Sequence, residues 1–172
     1  GTEITDAGRV LMRLYTESDL LVAECLRAGI WEGLEAAELA AVCSSLIYES
    51  RIAEGEEAPR LPKGRTRVVL DEMARIRGDV HDRELEHRLD ITRPLDPGFA
   101  WPAFRWAQGT SLASLLATTD LTAGDFVRWT RQLIDLLGQI AQAVPADGGI
   151  GSVAREAADR LNRGVVAYAS TV

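Results

Sequence analysis

Apolar residues recur along this chain at helical rather than alternating spacing. Between Ser18 and Gly29, the residues Leu20, Leu21, Val22, Ala23, Cys25, Leu26 and Ala28 leave only Glu24 and Arg27 polar. Ser18 and Asp19 supply helix-start chemistry and Gly29 a stop, so a helix is expected to about Ala28, apolar on nearly every side and therefore buried. A second helix is expected over Leu34 to Arg51, with Leu39, Val42, Cys43, Leu46 and Ile47 in phase. Glu54 to Arg65 contains Gly55, Pro59, Pro62 and Gly64 and reads as a loop. A more polar third helix is expected from Thr66 to Leu89, weakened in the middle by Gly78. After a break at Pro94, Pro97 and Gly98, the aromatic stretch Phe99 to Ala107 suits a short helix opened by Pro102. Thr110 is placed to cap a helix over Ser111 to Ala117. Thr122 and Asp125 form a T-x-x-D signature ahead of a long helix, Ala123 to Val144. Pro145 to Gly151 reads as a loop and Ser152 to Ala169 as a final helix, while Arg9 to Tyr15 looks like an extended lead-in. No stretch alternates well enough for a sheet. The expected fold class is all-α, a bundle of six to seven helices in one domain spanning 1–172.

The long helix Ala123 to Val144 carries the most informative pattern. At about 100° per residue, Phe126, Val127, Trp129, Leu133, Ile134, Leu136, Leu137, Ile140 and Ala141 cover most of its circumference. Arg128, Arg131, Gln132, Asp135, Gln139 and Gln142 fall in one stripe about a third of a turn wide. Such a rail is either the solvated face of a bundle helix or the lining of a channel. In a channel, the arginines would meet phosphates or stack on bases, and the amides and Asp135 would offer adaptable hydrogen bonds. Periodicity alone does not choose between the two.

Composition narrows the picture modestly. The chain has 172 residues, 47% hydrophobic and 26% charged, as in ordinary globular proteins. No apolar run approaches the ~20 residues that span a bilayer, and Gly1 to Gly8 lack signal-peptide regions; a cytoplasmic location is expected. The net charge of −7 argues against a free-standing nucleic-acid binder, which usually presents a basic face. Lys63 is the sole lysine, so basic charge is almost all arginine. Guanidinium groups fork phosphates and stack on bases better than ammonium groups, although a GC-rich genome produces the same bias. Cys25 and Cys43 lie in apolar helical runs and read as small buried hydrophobes.

Other motifs read as bland surface. Asp71-Glu72-Met73-Ala74 resembles a Walker B start, but it sits on a polar helix and the chain holds no G-x-x-x-x-G-K-[ST] loop. Gly149-Ile150-Gly151-Ser152-Val153-Ala154 fits G-x-G-x-x-A, yet a helix and Pro145 precede it instead of a strand. His81 and His87 are six residues apart and diverge on a helix, unlike i, i+4 metal pairs. No catalytic residues and no metal site are expected in this chain. Ser111 to Leu137 has helix-turn-helix proportions, but the first turn of its second helix (Ala123, Gly124, Asp125) is small and acidic, which disfavours docking on DNA phosphates.

Several segments, in order, resemble the DSHCT domain, the carboxy-terminal helical domain of Ski- and DOB-type and bacterial HelY-like DExH-box RNA helicases. They are Gly8-Arg9-Val10, Leu20 to Glu24 through Gly29 and Leu34, Leu39 to Ser44 with Ile47-Tyr48-Glu49, and Trp106 to Leu112. Asp120-Leu121, Gly124 to Arg128 and Leu161 to Val166 complete the series. The stretch Ile52 to Gly98 matches poorly and looks like a variable insertion. The resemblance implies a helical bundle set over two RecA-like lobes, closing a tunnel for single-stranded RNA, with RecA-like and winged-helix domains of the same polypeptide as neighbours. ATP and Mg would belong to those upstream domains, and no cofactor is expected here. Ala123 to Val144 looks like the family's strand-contacting ratchet helix, with Arg128, Arg131, Gln132 and Asp135 facing the strand and Glu49 on the second helix as a further contact. Unlike its eukaryotic relatives, this helix carries Trp129 and Thr130 among its arginines; Trp129 falls on the apolar side and is expected to be core. The resemblance and the narrow rail agree, which favours the channel reading. The competing expectations are an autonomous helix-turn-helix regulator and a protein-interaction scaffold using Thr66 to Leu89 and the aromatic cluster near Trp101.

Overall fold

The computed structural model describes residues 19–50, 59–87, 94–145 and 148–169. The expected lead-in at 1–15, the segment Gly8-Arg9-Val10 and the cap at Ser18 lie outside them. Among the described residues there are eight α-helices, one 3-10 turn and no strand: α1 (Asp19–Ala28), α2 (Ala36–Ser44), α3 (Thr66–His87), the turn Pro97–Phe99, α4 (Ala100–Ala107), α5 (Leu112–Leu116), α6 (Ala123–Ala143), α7 (Ile150–Leu161) and α8 (Gly164–Ala169). The all-α bundle expected from periodicity is the fold. No helix among the described residues is long and apolar enough to cross a membrane.

The most enclosed element is α2, not α1. Ala36, Ala37, Leu39, Ala40, Ala41, Val42, Cys43 and Ser44 are all buried, whereas α1 buries Asp19, Leu21, Val22 and Cys25 and exposes Arg27 and Ala28. The helices α4 and α7 lie against α2, and α6 packs chiefly on α7. Small side chains permit this close assembly. α7 buries Gly151, Ala154, Ala157 and Leu161 along one stripe, so alanine and glycine surfaces meet where larger residues would hold the axes apart. At Gly151 an added Cβ would lie 2.8 Å from Val144 Cγ2 and 3.3 Å from the Pro145 carbonyl oxygen. The G-x-G-x-x-A stretch is thus a helix start shaped by packing.

Several expected boundaries shift, most of them for a local reason. α2 stops at Ser44 instead of reaching Arg51: Ser44 Oγ and Ser45 Oγ donate back to the carbonyls of Ala41 and Val42, both at 2.6 Å, competing with the helical ladder. α4 begins at Ala100, behind the 3-10 turn that Pro97 opens, so Pro102 sits in the first helical turn and does not open it. Ser111, not Thr110, caps α5, its Oγ accepting from the Ser114 N–H at 3.2 Å. Helix α7 starts at Ile150, inside the expected loop. The expected final helix is two helices, broken at Asn162 and Arg163, with Gly164 at φ +53°; that left-handed conformation suits glycine. Elsewhere, Gly29 at φ +68° ends α1 as expected, and α3 runs through Gly78.

An aromatic ladder crosses the core. The Tyr48 and Phe99 rings stack with centroids 5.4 Å apart, Phe99 and Phe126 are 5.8 Å apart, and Trp106 meets Phe126 edge-on at 5.2 Å. It joins α6, the segment after α2, the 3-10 turn and α4. Trp31 Nε1 donates to Met73 Sδ at 3.5 Å, fastening the turn after α1 to α3. This contact accounts for Met73 in the Walker B look-alike: it is a core residue on a helix. Cys25 and Cys43 are buried free thiols, as expected.

Candidate nucleic-acid interface

Helix α6 is launched by Thr122, whose Oγ1 accepts from the Asp125 N–H at 3.1 Å, satisfying one of the unpaired donors of the first turn. Its inner side buries Phe126, Thr130, Leu133, Leu136, Leu137, Ile140 and Ala141. Thr130 sits among them because its hydroxyl donates to the Phe126 carbonyl at 2.7 Å, which satisfies the buried polar group within the helix. On the opposite side Arg128, Gln132, Asp135, Gln139 and Gln142 are exposed and Arg131 is half-buried. The six lie within an arc of about 100°. The rail expected from the wheel is therefore a real surface stripe, and in this chain it faces outward.

Two arginines head the rail and each is held differently. Arg128 reaches Asp125 Oδ1 at 3.4 Å, with half its side chain exposed, so the pair adds little stability. Its guanidinium also lies over the Trp129 ring, 4.8 Å from the centroid. Arg131 donates to Asn162 Oδ1 at 3.4 Å, across to the residue after α7. With two arginines, one aspartate and three glutamines, the rail is nearly neutral and rich in amide hydrogen-bonding groups.

Glu49 does not lie on a helix. It follows the end of α2 in an irregular segment and lines a cleft of about 250 Å³ with Leu46, Tyr48, Pro94, Leu95, Asp96 and Pro97. Asp96 pins the cleft: its Oδ2 accepts from the Ser50 N–H at 2.7 Å and its Oδ1 from the Gly98 N–H at 2.9 Å. Burial pushes the Tyr48 hydroxyl pKa up, and the negative charges of Asp96 and Asp125 add to this against a lowering hydrogen bond from Ser50. Tyr48 meets Trp129 edge-on at 5.1 Å. Trp129, expected in the core, is only half-buried: it packs on the apolar side, against the core and not within it. The contacts run from Arg128 through Trp129 to Tyr48, so Glu49 and the head of the rail border one aromatic block.

Sequence reasoning gave no structural role to Tyr48, Asn162 or Asp96, whose contacts depend on segments remote in the chain. It also missed the joint at Arg163. There the segments around Trp106 and Leu161, both part of the family resemblance, meet side to side: Trp106 Nε1 donates to the Leu161 carbonyl at 2.8 Å. Among the described residues, no group of three or more His, Cys, Asp or Glu side chains could hold a metal ion.

The DSHCT (NUC185) domain family matches residues 1–169. The chain belongs to the DSHCT family. This DSHCT domain is 44% identical over 174 residues to "Probable helicase HelY" of Mycobacterium tuberculosis, covering 95% of this chain and 19% of that protein. It is 43% identical over 175 residues to the protein of that name from Mycobacterium leprae, covering 96% and 19%. It is 25% identical over 166 residues to "Exosome RNA helicase MTR4" of Homo sapiens, covering 95% of this chain and 16% of that protein. The DSHCT domain thus spans about a fifth of the length of its mycobacterial relatives.

Proposed function

We propose that this DSHCT domain is the carboxy-terminal accessory domain of an ATP-dependent DExH-box RNA helicase, and that α6 contacts the single strand being moved. The observation that carries the reading is the form of α6. A helix anchored along one side in the core keeps a single stripe of guanidinium and amide groups, Arg128, Arg131, Gln132, Asp135, Gln139 and Gln142, open to a ligand. A rigid helix presents such groups at fixed spacing, about 5.4 Å per turn. The near neutrality of the stripe suits a strand that must be released and regripped, because each phosphate held tightly would slow its advance. Glu49, at the cleft beside the head of the rail, is the further contact.

ATP hydrolysis belongs, on this reading, to RecA-like domains elsewhere in the same cytoplasmic polypeptide, with ATP and Mg as their cofactors and a winged-helix domain alongside. This chain supplies no catalytic residue. Its role is coupling: differential contact with the strand in the motor's alternate states biases movement in one direction. The test is the full-length polypeptide carrying Arg128→Gln and Arg131→Gln. Duplex unwinding should fall about tenfold or more while ATPase activity without RNA changes less than twofold. Equal loss of both activities would refute strand contact.

A further inference from the structure

The chain is acidic overall, yet the eight residues 60–67 hold four cations, Arg60, Lys63, Arg65 and Arg67, all exposed. Pro59, Pro62 and Gly64 keep this stretch out of a helix until Thr66 opens α3. The fold brings it against α4. The Arg60 guanidinium lies over the Trp101 ring at 3.9 Å, and Arg105, one helical turn further along α4, approaches the same ring at 5.7 Å. Phe104 stacks beside Trp101, with ring centroids 6.1 Å apart. Among the described residues, Arg60, Lys63, Arg67 and Arg105 form no ion pair, and Arg65 donates only to the Glu32 carbonyl, at 3.2 Å. Among the described residues, no carboxylate pairs with any of these five side chains.

We propose that the corner formed by Arg60, Lys63, Trp101 and Arg105 is a second docking surface for single-stranded RNA, built from residues none of which belongs to the rail. The inference rests on the strand-handling reading given above. Its chemistry is what a flexible polyanion with aromatic bases needs. Exposed cations attract phosphates, and a guanidinium held over an indole extends an aromatic platform on which a base can stack. Arg60 is exposed, so its side chain is accessible to a ligand. An acidic protein segment would satisfy the cations, but it would leave the stacked arrangement without a role.

The test uses the full-length polypeptide and fluorescein-labelled oligouridylate, with binding followed by anisotropy from 50 to 300 mM salt. Three variants are compared with the parent: Arg60→Gln/Lys63→Gln/Arg105→Gln, Trp101→Leu, and the rail pair Arg128→Gln/Arg131→Gln. Loss of three phosphate contacts should lower the slope of log affinity against log salt by about 2, at about 0.7 per contact for a single strand. Affinity should fall about tenfold or more at the low-salt end. Trp101→Leu should weaken binding about tenfold with little change in slope, because stacking carries no counterion release. In a variant combining the corner and rail substitutions, the two losses should add on a logarithmic scale, as for independent sites. Unchanged affinity and slope in the corner variant, with the rail variant weakened, would overturn the second surface and leave the rail reading standing. Loss of a co-purifying protein without any loss of RNA affinity would overturn it in favour of a protein dock. A parent that binds no RNA would overturn both readings. Because Trp101 is half-buried, Arg60→Lys/Arg105→Lys serves as a fold-neutral second variant. It should keep the slope and lose part of the affinity, and parental affinity in it would exclude the stacking role.

Discussion

The Arg163 guanidinium lies 3.5 Å above the Trp106 ring centroid, while its Nη2 donates to both the Trp106 and Thr110 carbonyls at 2.7 Å. One side chain thus closes the end of α4 and fastens it to the junction of α7 and α8. Burial lowers the pKa of this guanidinium from its ordinary value, yet arginine remains charged at any physiological pH. Arg163→Ala should destabilise the chain by about 2–4 kcal/mol, because two carbonyls lose a charged donor and the ring loses its cation. Arg163→Lys, which keeps the charge without the planar fork, should lose about half as much. Urea unfolding followed by tryptophan fluorescence measures both; a change below about 0.5 kcal/mol for the alanine variant would show that the joint is decoration.

At Gly151, α7 packs against the end of α6. A methyl group there meets Val144 Cγ2 at 2.8 Å and a backbone carbonyl at 3.3 Å. Val144 is β-branched and stiff at χ1, so its side chain gives way only at a cost. Gly151→Ala should therefore cost about 1–3 kcal/mol, despite alanine's better helix propensity, lowering Tm by about 3–10 °C. Val144→Ala in the same chain should recover part of the loss in a double-mutant cycle, and a purely additive cycle would place the strain elsewhere.

The buried thiols predict an alkaline limit. Burial pushes Cys25 up to about 12 from an ordinary 9.0, with the Glu24 charge adding to it, and raises Cys43 in the same direction. Between the unfolded and folded values the unfolded chain has released protons that the folded chain retains, so stability is intact below about pH 9 and declines above it. Tyr48, also raised, contributes in the same sense above its ordinary 10.0. Unfolding free energy measured from pH 7 to 11 should fall at the upper end, less steeply in Cys25→Ala/Cys43→Ala. Below pH 9 a thiol-specific disulfide reagent should react only as fast as the chain opens; rapid labelling of the native protein would contradict the burial.

What the chain's pattern made legible is what repeats within one helix. The buried and exposed positions of α6 could be placed from the wheel because a wide apolar arc leaves little choice of orientation, and Gly29 ended α1 through its own backbone freedom. What escaped depends on contacts between distant segments or between rival backbone partners. Amphipathic spacing runs past Ser44 and across Asn162, but serine hydroxyls captured the carbonyls at the first site. At the second, the Leu161 carbonyl is taken by Trp106, 55 residues away. Glu49 is misplaced by the same error that lengthened α2. Arg128, Arg131, Gln132 and Asp135 share a stripe as expected, whereas the Tyr48–Trp129 contact that joins Glu49's segment to its head has no signature in either local sequence.

The Trp106–Leu161 hydrogen bond also sets a timetable. At about 5–20 residues per second on the ribosome, the indole at position 106 waits several seconds before its acceptor, 55 residues later, has been made. During that interval the hydrophobic centre of the bundle stands open. A codon change that slowed translation between α4 and α7 would lengthen this exposure without altering a single amino acid.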